Sequence, residues 1–279
     1  MISHLLLWNG QFIKEFSYRL GTGGLDRCSA EGVVSVLLNN GDGTFKSAHS
    51  YNSGGSAYLG AYITVADING DGKPDVIAAN QYGPGCVGAG CANSVSVLLG
   101  NGDGTFQSPL PVNFSGDPES LFVADVNGDG KPDLLVAGGG ELGILLGNGD
   151  GTFQPAVLYS TNGIDLGFEL HQNLAVADIN GDGRLDVLVS NSLVFGGGNA
   201  GSVAVFLGNG DGTFQAAVSY PLAGSGLGGI ALADVNGDGK LDVVATVAGE
   251  VLGYSAVTVL PGNGDGTFQP DVLICCATH

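Results

Sequence analysis

An internal repeat constrains this chain more than any other feature. One element, Val65-Ala-Asp-Ile-Asn-Gly-Asp-Gly-Lys-Pro-Asp75, recurs as Val123 to Asp133, Val176 to Asp186 and Leu232 to Asp242. A second element, Asn-Gly-Asp-Gly-Thr-Phe, recurs five times, with its central acid at Asp42, Asp103, Asp150, Asp211 and Asp265. The two alternate strictly, so the repeating unit is about 55 residues long.

Short apolar runs flank both elements. Val33 to Leu38, Val95 to Leu99, Gly143 to Leu146, Val203 to Leu207 and Val257 to Leu260 precede the second element. Val76 to Ala79, Leu134 to Ala137, Val187 to Ser190 and Val243 to Ala245 follow the first. They are rich in Val and Leu and bounded by Gly, Asn and Asp, which is the signature of short strands. Helical periodicity is absent between the motifs. Each unit therefore supplies four strands: one ending at Val-Ala-Asp, one leaving the acidic loop, one entering Asn-Gly-Asp-Gly and one after Thr-Phe. The expected fold is all-β, a propeller of four-stranded antiparallel blades. Near-continuous apolar runs suit a blade that packs on neighbours through both faces.

On this reading residues 1–279 form one domain, with units at about 1–53, 54–113, 114–162, 163–222 and 223–279. The first unit has the second element but no acidic loop. A hairpin of Leu5 to Trp8 and Phe12-Ile13 around Asn9-Gly10 would fill the missing place and give five blades. The alternative is a piece of a larger ring.

The acidic loop reads Asp-x-Asn-x-Asp-Gly-x-x-Asp. Positions 1, 3 and 5 put oxygen-bearing side chains on one side of a tight turn, position 7 offers a carbonyl, and the Asp at position 9 closes the cage. Calcium takes six to eight oxygens, and this spacing supplies most of them. The candidate ligands are Asp67, Asn69, Asp71, Lys73 and Asp75; Asp125, Asn127, Asp129, Lys131 and Asp133; Asp178, Asn180, Asp182, Arg184 and Asp186; and Asp234, Asn236, Asp238, Lys240 and Asp242. The Lys and Arg residues enter through their backbone carbonyls alone. About four calcium ions are expected. A plain hairpin turn would explain the Asn and Gly, but not an Asp at positions 1 and 9 of every copy. The second element carries one acid per loop, and there the turn reading prevails over a metal reading.

Charge narrows the partners. Eight Lys and Arg stand against 27 Asp and Glu, a formal charge of −19. Such a chain repels phosphate backbones and anionic membrane surfaces, so no nucleic-acid partner is expected. No apolar run approaches the roughly 18 residues of a membrane span. The start, Met1 to Gly10, lacks the features of a signal peptide. Gly reaches 51 residues without a collagen period, because glycine here serves turns. Five cysteines, an odd count without a CxxC pair, argue against a structural zinc site, while Cys86 and Cys91 flank a Gly-rich loop and could bridge in an oxidising compartment. Calcium near 1 mM acting on sites of about 0.1 mM affinity stabilises by roughly 1.4 kcal/mol each. Four sites then approach the stability of an ordinary domain, which favours an extracellular, cell-surface or periplasmic setting.

The acidic loops together with Gly-Asn-Gly-Asp-Gly-Thr-Phe-Gln resemble FG-GAP/VCBS repeats, the calcium-loop blades also found in integrin α-subunit propellers. The resemblance spans roughly residues 33 to 274. It implies a calcium-binding propeller at a cell surface or secreted, working in adhesion or ligand binding. The first unit departs from it by lacking the loop, and five units are fewer than the seven usual in such rings. The expected function is a calcium-stabilised module for an extracellular protein or glycan. Its binding surface would be the blade end opposite the loops, where Asn80 to Asn93 and Ile164 to Gln172 form the longest connections.

The alternatives are a secreted polysaccharide lyase or hydrolase, and a non-catalytic part of a longer secreted chain with other domains. An enzyme would need a converging acid/base pair, and its candidates are Glu119, Glu141, Glu169, His171 and Glu250. Tyr82, Tyr159, Tyr220 and Phe195 could stack on sugar rings or pack between blades.

Overall fold

The computed structural model describes residues 5–8, 11–14, 31–56, 60–81, 94–114, 116–162, 173–191, 200–248 and 255–274. All regular structure among them is strand. Among the described residues, no helix is long and apolar enough to cross a membrane.

The strands group as the repeat demands. The first blade holds β1 (Leu5–Trp8), β2 (Gln11–Lys14), β3 (Glu31–Leu37) and β4 (His49–Ser56), hydrogen-bonded in that order. The second holds β5 (Gly60–Ala66), β6 (Asp75–Gln81), β7 (Ser94–Leu98) and β8 (Leu110–Val112). The third holds β9 (Ser120–Ala124), β10 (Asp133–Gly138), β11 (Glu141–Leu145) and β12 (Val157–Ser160). The remaining strands are β13 (Leu174–Ala177), β14 (Asp186–Asn191), β15 (Ala200–Phe206), β16 (Val218–Ala233), β17 (Asp242–Ala248), β18 (Ser255–Leu260) and β19 (Val272–Ile274). These seven make one sheet in chain order.

That larger sheet is two blades fused through β16. Val218 to Ser225 pairs with β15, and Ser225 to Ala233 pairs with β17, with register shifts around Leu227. A strand that ends one blade thus begins the next without a turn between them. Counted this way, the chain comprises five four-stranded antiparallel blades of propeller type. The hairpin anticipated in the first unit is present, with Leu5 opposite Lys14 and Trp8 opposite Gln11.

The strands divide by position. β10 and β14 are buried along their whole length, whereas β12 and β19 are almost wholly exposed. A strand buried on both faces has no use for alternation, which is why these segments read as unbroken apolar runs. Each buried Val or Leu contributes about 1.5–3 kcal/mol relative to exposure.

The chain forms two compact units. One comprises Met1–Asp125, Asp129–Leu135 and Leu145–Ala156; the other comprises Val126–Gly128, Val136–Ile144 and Val157–His279. In the first, Val34, Val36, Val76, Ala78 and Leu98 form a buried cluster covered by Tyr51, Ile63 and Phe106. In the second, the cluster includes Ile179, Leu188, Val205, Leu222, Val243 and Phe268.

Candidate metal loops

The acidic loop joins the first two strands of a blade, β5 to β6 in the second blade. Gly70 and Gly72 take φ of 72° and 79°, a left-handed conformation that glycine adopts without strain. The turn then folds its amides inward. Asp67 accepts the Asp71 N–H at 3.0 Å through Oδ1 and the Gly72 N–H at 2.8 Å through Oδ2. Asn69 Oδ1 accepts the Asp71 N–H at 3.0 Å, and Asp71 Oδ1 accepts the Lys73 N–H at 2.9 Å. The other loops repeat the scheme: the N–H of Gly130, Gly183 and Gly239 reaches Asp125, Asp178 and Asp234, each at 2.8 Å.

Position 9 behaves differently. Asp75 is fully buried, and its Oδ2 accepts the Ile68 N–H at 2.9 Å. Its Oδ1 accepts the Gly100 N–H at 2.7 Å, from the residue that opens the second turn. Gly147 donates to Asp133, Gly208 to Asp186 and Gly262 to Asp242, each at 2.8 Å. The carboxylate therefore ties the acidic loop to the second turn of its own blade.

The tie demands glycine. A Cβ on Gly100 would stand 2.1 Å from the Pro74 carbonyl oxygen, and Gly147, Gly208 and Gly262 meet Pro132, Leu185 and Leu241 at the same 2.1 Å. Sequence reasoning assigned position 9 to the cage alone and missed this clamp. Its signal was a Gly before Asn-Gly-Asp-Gly only in blades with an acidic loop; the first blade has Asn39 there.

Position 7 also does more than offer a carbonyl. The Lys73 stem lies over Gly102, whose Cβ would come within 3.1 Å of it, while the ammonium stands 3.2 Å from Asp71. Lys131 and Arg184 sit 3.9 Å from Asp129 and Asp182. In the second turn, Asp103 Oδ1 accepts the Thr105 hydroxyl at 2.6 Å and its N–H at 2.9 Å. These donors hold the Asp103 carboxyl below the usual carboxylate range, and Asp42, Asp150, Asp211 and Asp265 are lowered in the same way by their own Thr. The second-turn acids thus serve their turns.

The side-chain oxygens of the acidic loops are turned to backbone amides. Among the described residues, no three His, Cys, Asp or Glu side chains gather as a metal-holding group. The donor set nevertheless suits a hard cation, since it is all oxygen and a carboxylate oxygen that accepts one N–H keeps further acceptor capacity. The carboxylates also feel one another. Burial pushes the Asp75 carboxyl up, with Asp71 and Asp67 adding to the rise, and Asp186 is raised likewise by burial and then by Asp182 and Asp178. Asp71 is lowered, chiefly by the Lys73 N–H, and Asp234 chiefly by the Gly239 N–H.

Of the acid/base candidates, Glu119 and Glu141 lie among the described residues. Glu119 is buried near Tyr62, whose phenol is pushed up to about 12 by burial and then by that carboxylate. Glu141 lies on β11, paired with Ser160. Glu169, His171 and Glu250 lie outside the described residues, as do the longest connections, Tyr82, Phe195, Cys86 and Cys91. Tyr159 and Tyr220 pack edge-on against Phe214 and Phe268, at centroid distances of 6.0 Å and 5.5 Å.

A family model for the FG-GAP-like repeat matches residues 6–78, 86–136, 125–189 and 193–245, and an FG-GAP repeat model matches 60–98. The chain belongs to the FG-GAP-like repeat family. Among solved structures, this FG-GAP-like chain is similar to an Agrocybe aegerita lectin described as recognising non-reducing terminal N-acetylglucosamine. Identity is 27%, over 88% of this chain and 76% of that one, with a TM-score of 0.44. It is also similar to the V. cholerae biofilm matrix protein Bap1, at 20% identity over 79% of this chain and 40% of that one, TM-score 0.40. A β-xylosidase/α-arabinofuranosidase from a compost microbial metagenome matches at 14% identity over 96% and 93%, TM-score 0.45. No curated protein matches the chain.

Proposed function

We propose that the chain is a calcium-stabilised binding module whose ligand is an extracellular protein or glycan. The observation that carries this reading is the all-oxygen donor set that every acidic loop repeats at the same positions of a glycine-permitted turn, with Asp75 fully buried at its base. Such donors suit a divalent cation, and Asp67, Asn69, Asp71, Asp75 and the Lys73 carbonyl would hold it, with the corresponding residues in the other three loops. The ion supplies charge neutralisation that stiffens the loop edge of each blade. The first and third turns of a blade occupy that edge and are clamped together by Asp75. The opposite edge is left to the variable connections, which would contact the ligand.

Calorimetric titration of chelator-treated protein should show uptake of about four calcium ions, and chelation should lower stability by about 6 kcal/mol at millimolar calcium. Unchanged thermal unfolding in chelator would remove the basis of the reading. A glycan array with calcium present then separates binding from catalysis: retention of a specific glycan supports the module, and release of product from a polysaccharide makes the protein an enzyme.

A further inference from the structure

Half of the chain's eight Lys and Arg residues stand at one position of the repeat. Lys73, Lys131, Arg184 and Lys240 each occupy position 7 of an acidic loop, where a metal cage would use the backbone carbonyl alone. In a chain of formal charge −19, four cations placed inside four cation-binding loops call for a role of their side chains.

The geometry gives each of these side chains two acids. Its stem runs over the second turn of the same blade. A Cβ on Gly102 would stand 3.1 Å from the Lys73 stem, and Gly149, Gly210 and Gly264 meet Lys131, Arg184 and Lys240 at 3.2, 3.1 and 3.2 Å. The charged head reaches the position-5 carboxylate: Lys73 Nζ lies 3.2 Å from Asp71, and Lys131 and Arg184 lie 3.9 Å from Asp129 and Asp182. The second-turn acid follows the contacted glycine in sequence, as Asp103, Asp150, Asp211 and Asp265. Both acids feel the charge. Lys73 takes part in lowering Asp71, whereas Lys131, Arg184 and Lys240 take part in lowering Asp150, Asp211 and Asp265.

We propose that the position-7 side chain is a resident counter-ion that sets how tightly each loop takes calcium. It neutralises the position-5 carboxylate in the absence of the ion and crosses to the second-turn acid when the ion binds. The inference rests on the calcium reading of the loops. Two cations on one carboxylate repel each other, so binding displaces the ammonium or guanidinium and loses affinity by doing so. The second-turn acid receives the displaced charge without the stem leaving its glycine, and part of the loss is recovered. Lys73, closest to its position-5 acid, should hold its loop back the most.

Titration of the full chain with calcium chloride, followed by NMR, tests this. The amides of Gly72, Gly130, Gly183 and Gly239 donate to the position-1 Asp and so read the four loops separately. Lys73→Met keeps the carbonyl and the stem but removes the charge. The Gly72 midpoint should fall about fivefold, the worth of one good exposed ion pair, while the other three stay in place. Lys131→Met, read at Gly130, should show a smaller fall. Asp103→Asn keeps an acceptor for Thr105 but removes the second partner of Lys73, so the Gly72 midpoint should rise about twofold. In the double variant that rise should vanish, because no charge remains to be received. A midpoint unmoved by Lys73→Met overturns the inference and leaves the calcium reading standing, as does a double variant whose effects simply add. If no loop amide responds to calcium, the reading and the inference fall together.

Discussion

The first blade enters its second turn through Leu38-Asn39-Asn40, and the second blade enters through Leu99-Gly100-Asn101. The turns beyond are nearly the same: Asp42 and Asp103 accept the N–H of Thr44 and Thr105, each at 2.9 Å. The difference lies in what stands beside them. Gly100 is pressed against the Pro74 carbonyl and donates to Asp75, whereas Asn39 uses its own Oδ1 to accept the Gly41 N–H at 2.7 Å. An acidic loop therefore imposes a glycine 14 to 25 residues downstream, and a blade without the loop releases that position. The repeat is one device with two coupled parts.

Substitution at the two positions should give the largest contrast. Gly100→Ala forces a methyl into a backbone carbonyl that cannot rotate away, and it displaces the N–H that holds Asp75. A loss of about 4 kcal/mol is expected in urea unfolding. Asn39→Ala gives up one exposed hydrogen bond and should cost about 1 kcal/mol. Equal costs would show that the glycine is a turn preference and that the loops act separately.

The next contrast lies inside one acidic loop. Asp75→Ala leaves the buried N–H groups of Ile68 and Gly100 without their acceptor, an expected cost of about 2 kcal/mol already in chelator, and the loss of a ligand adds to it in calcium. Asp67→Ala removes acceptors from exposed amides, which water replaces, so its cost in chelator should stay below about 1 kcal/mol and grow when calcium is added. Thermal unfolding of both variants under the two conditions separates the clamp from the cage. Equal costs in chelator would merge the two roles.

The parts of this structure that were legible in the sequence are those written within a single repeat. Val76 to Ala79 announced a strand because it is apolar and bounded by turn residues, and Asn9-Gly10 marked the hairpin of the first blade. β16 was not legible as one strand, since its continuity depends on pairing with β15 on one stretch and β17 on another. Residues 222 and 223, expected to divide two units, lie in its interior. For the site, spacing alone selected Asp67, Asn69, Asp71 and Asp75 as oxygen donors. The clamp between Asp75 and Gly100 joins two separate turns, and so does the Lys73 stem over Gly102. Neither spacing nor composition encodes which turn of a blade lies against which.

The smallest contrast concerns the turn that all five blades share. Asp103 is fully exposed, yet the Thr105 hydroxyl and N–H hold its carboxyl below the usual range. Because the folded pKa lies below the unfolded one, this contribution is complete above about pH 4 and is lost as the pH falls through the folded pKa. Thr105→Val keeps the N–H and deletes the hydroxyl, so the Asp103 pKa should move part of the way back, as a carboxylate-resolved NMR titration would record. Thr44→Val should do the same to Asp42 in the first blade, where the Thr44 hydroxyl lies 2.5 Å from the carboxylate. Matching shifts would place the common chemistry of the blades in the second turn and leave the acidic loop as the part that varies. A shift in the second blade alone would mean that the Lys73 stem over Gly102, which the first blade lacks over Gly41, helps to hold Asp103 in place.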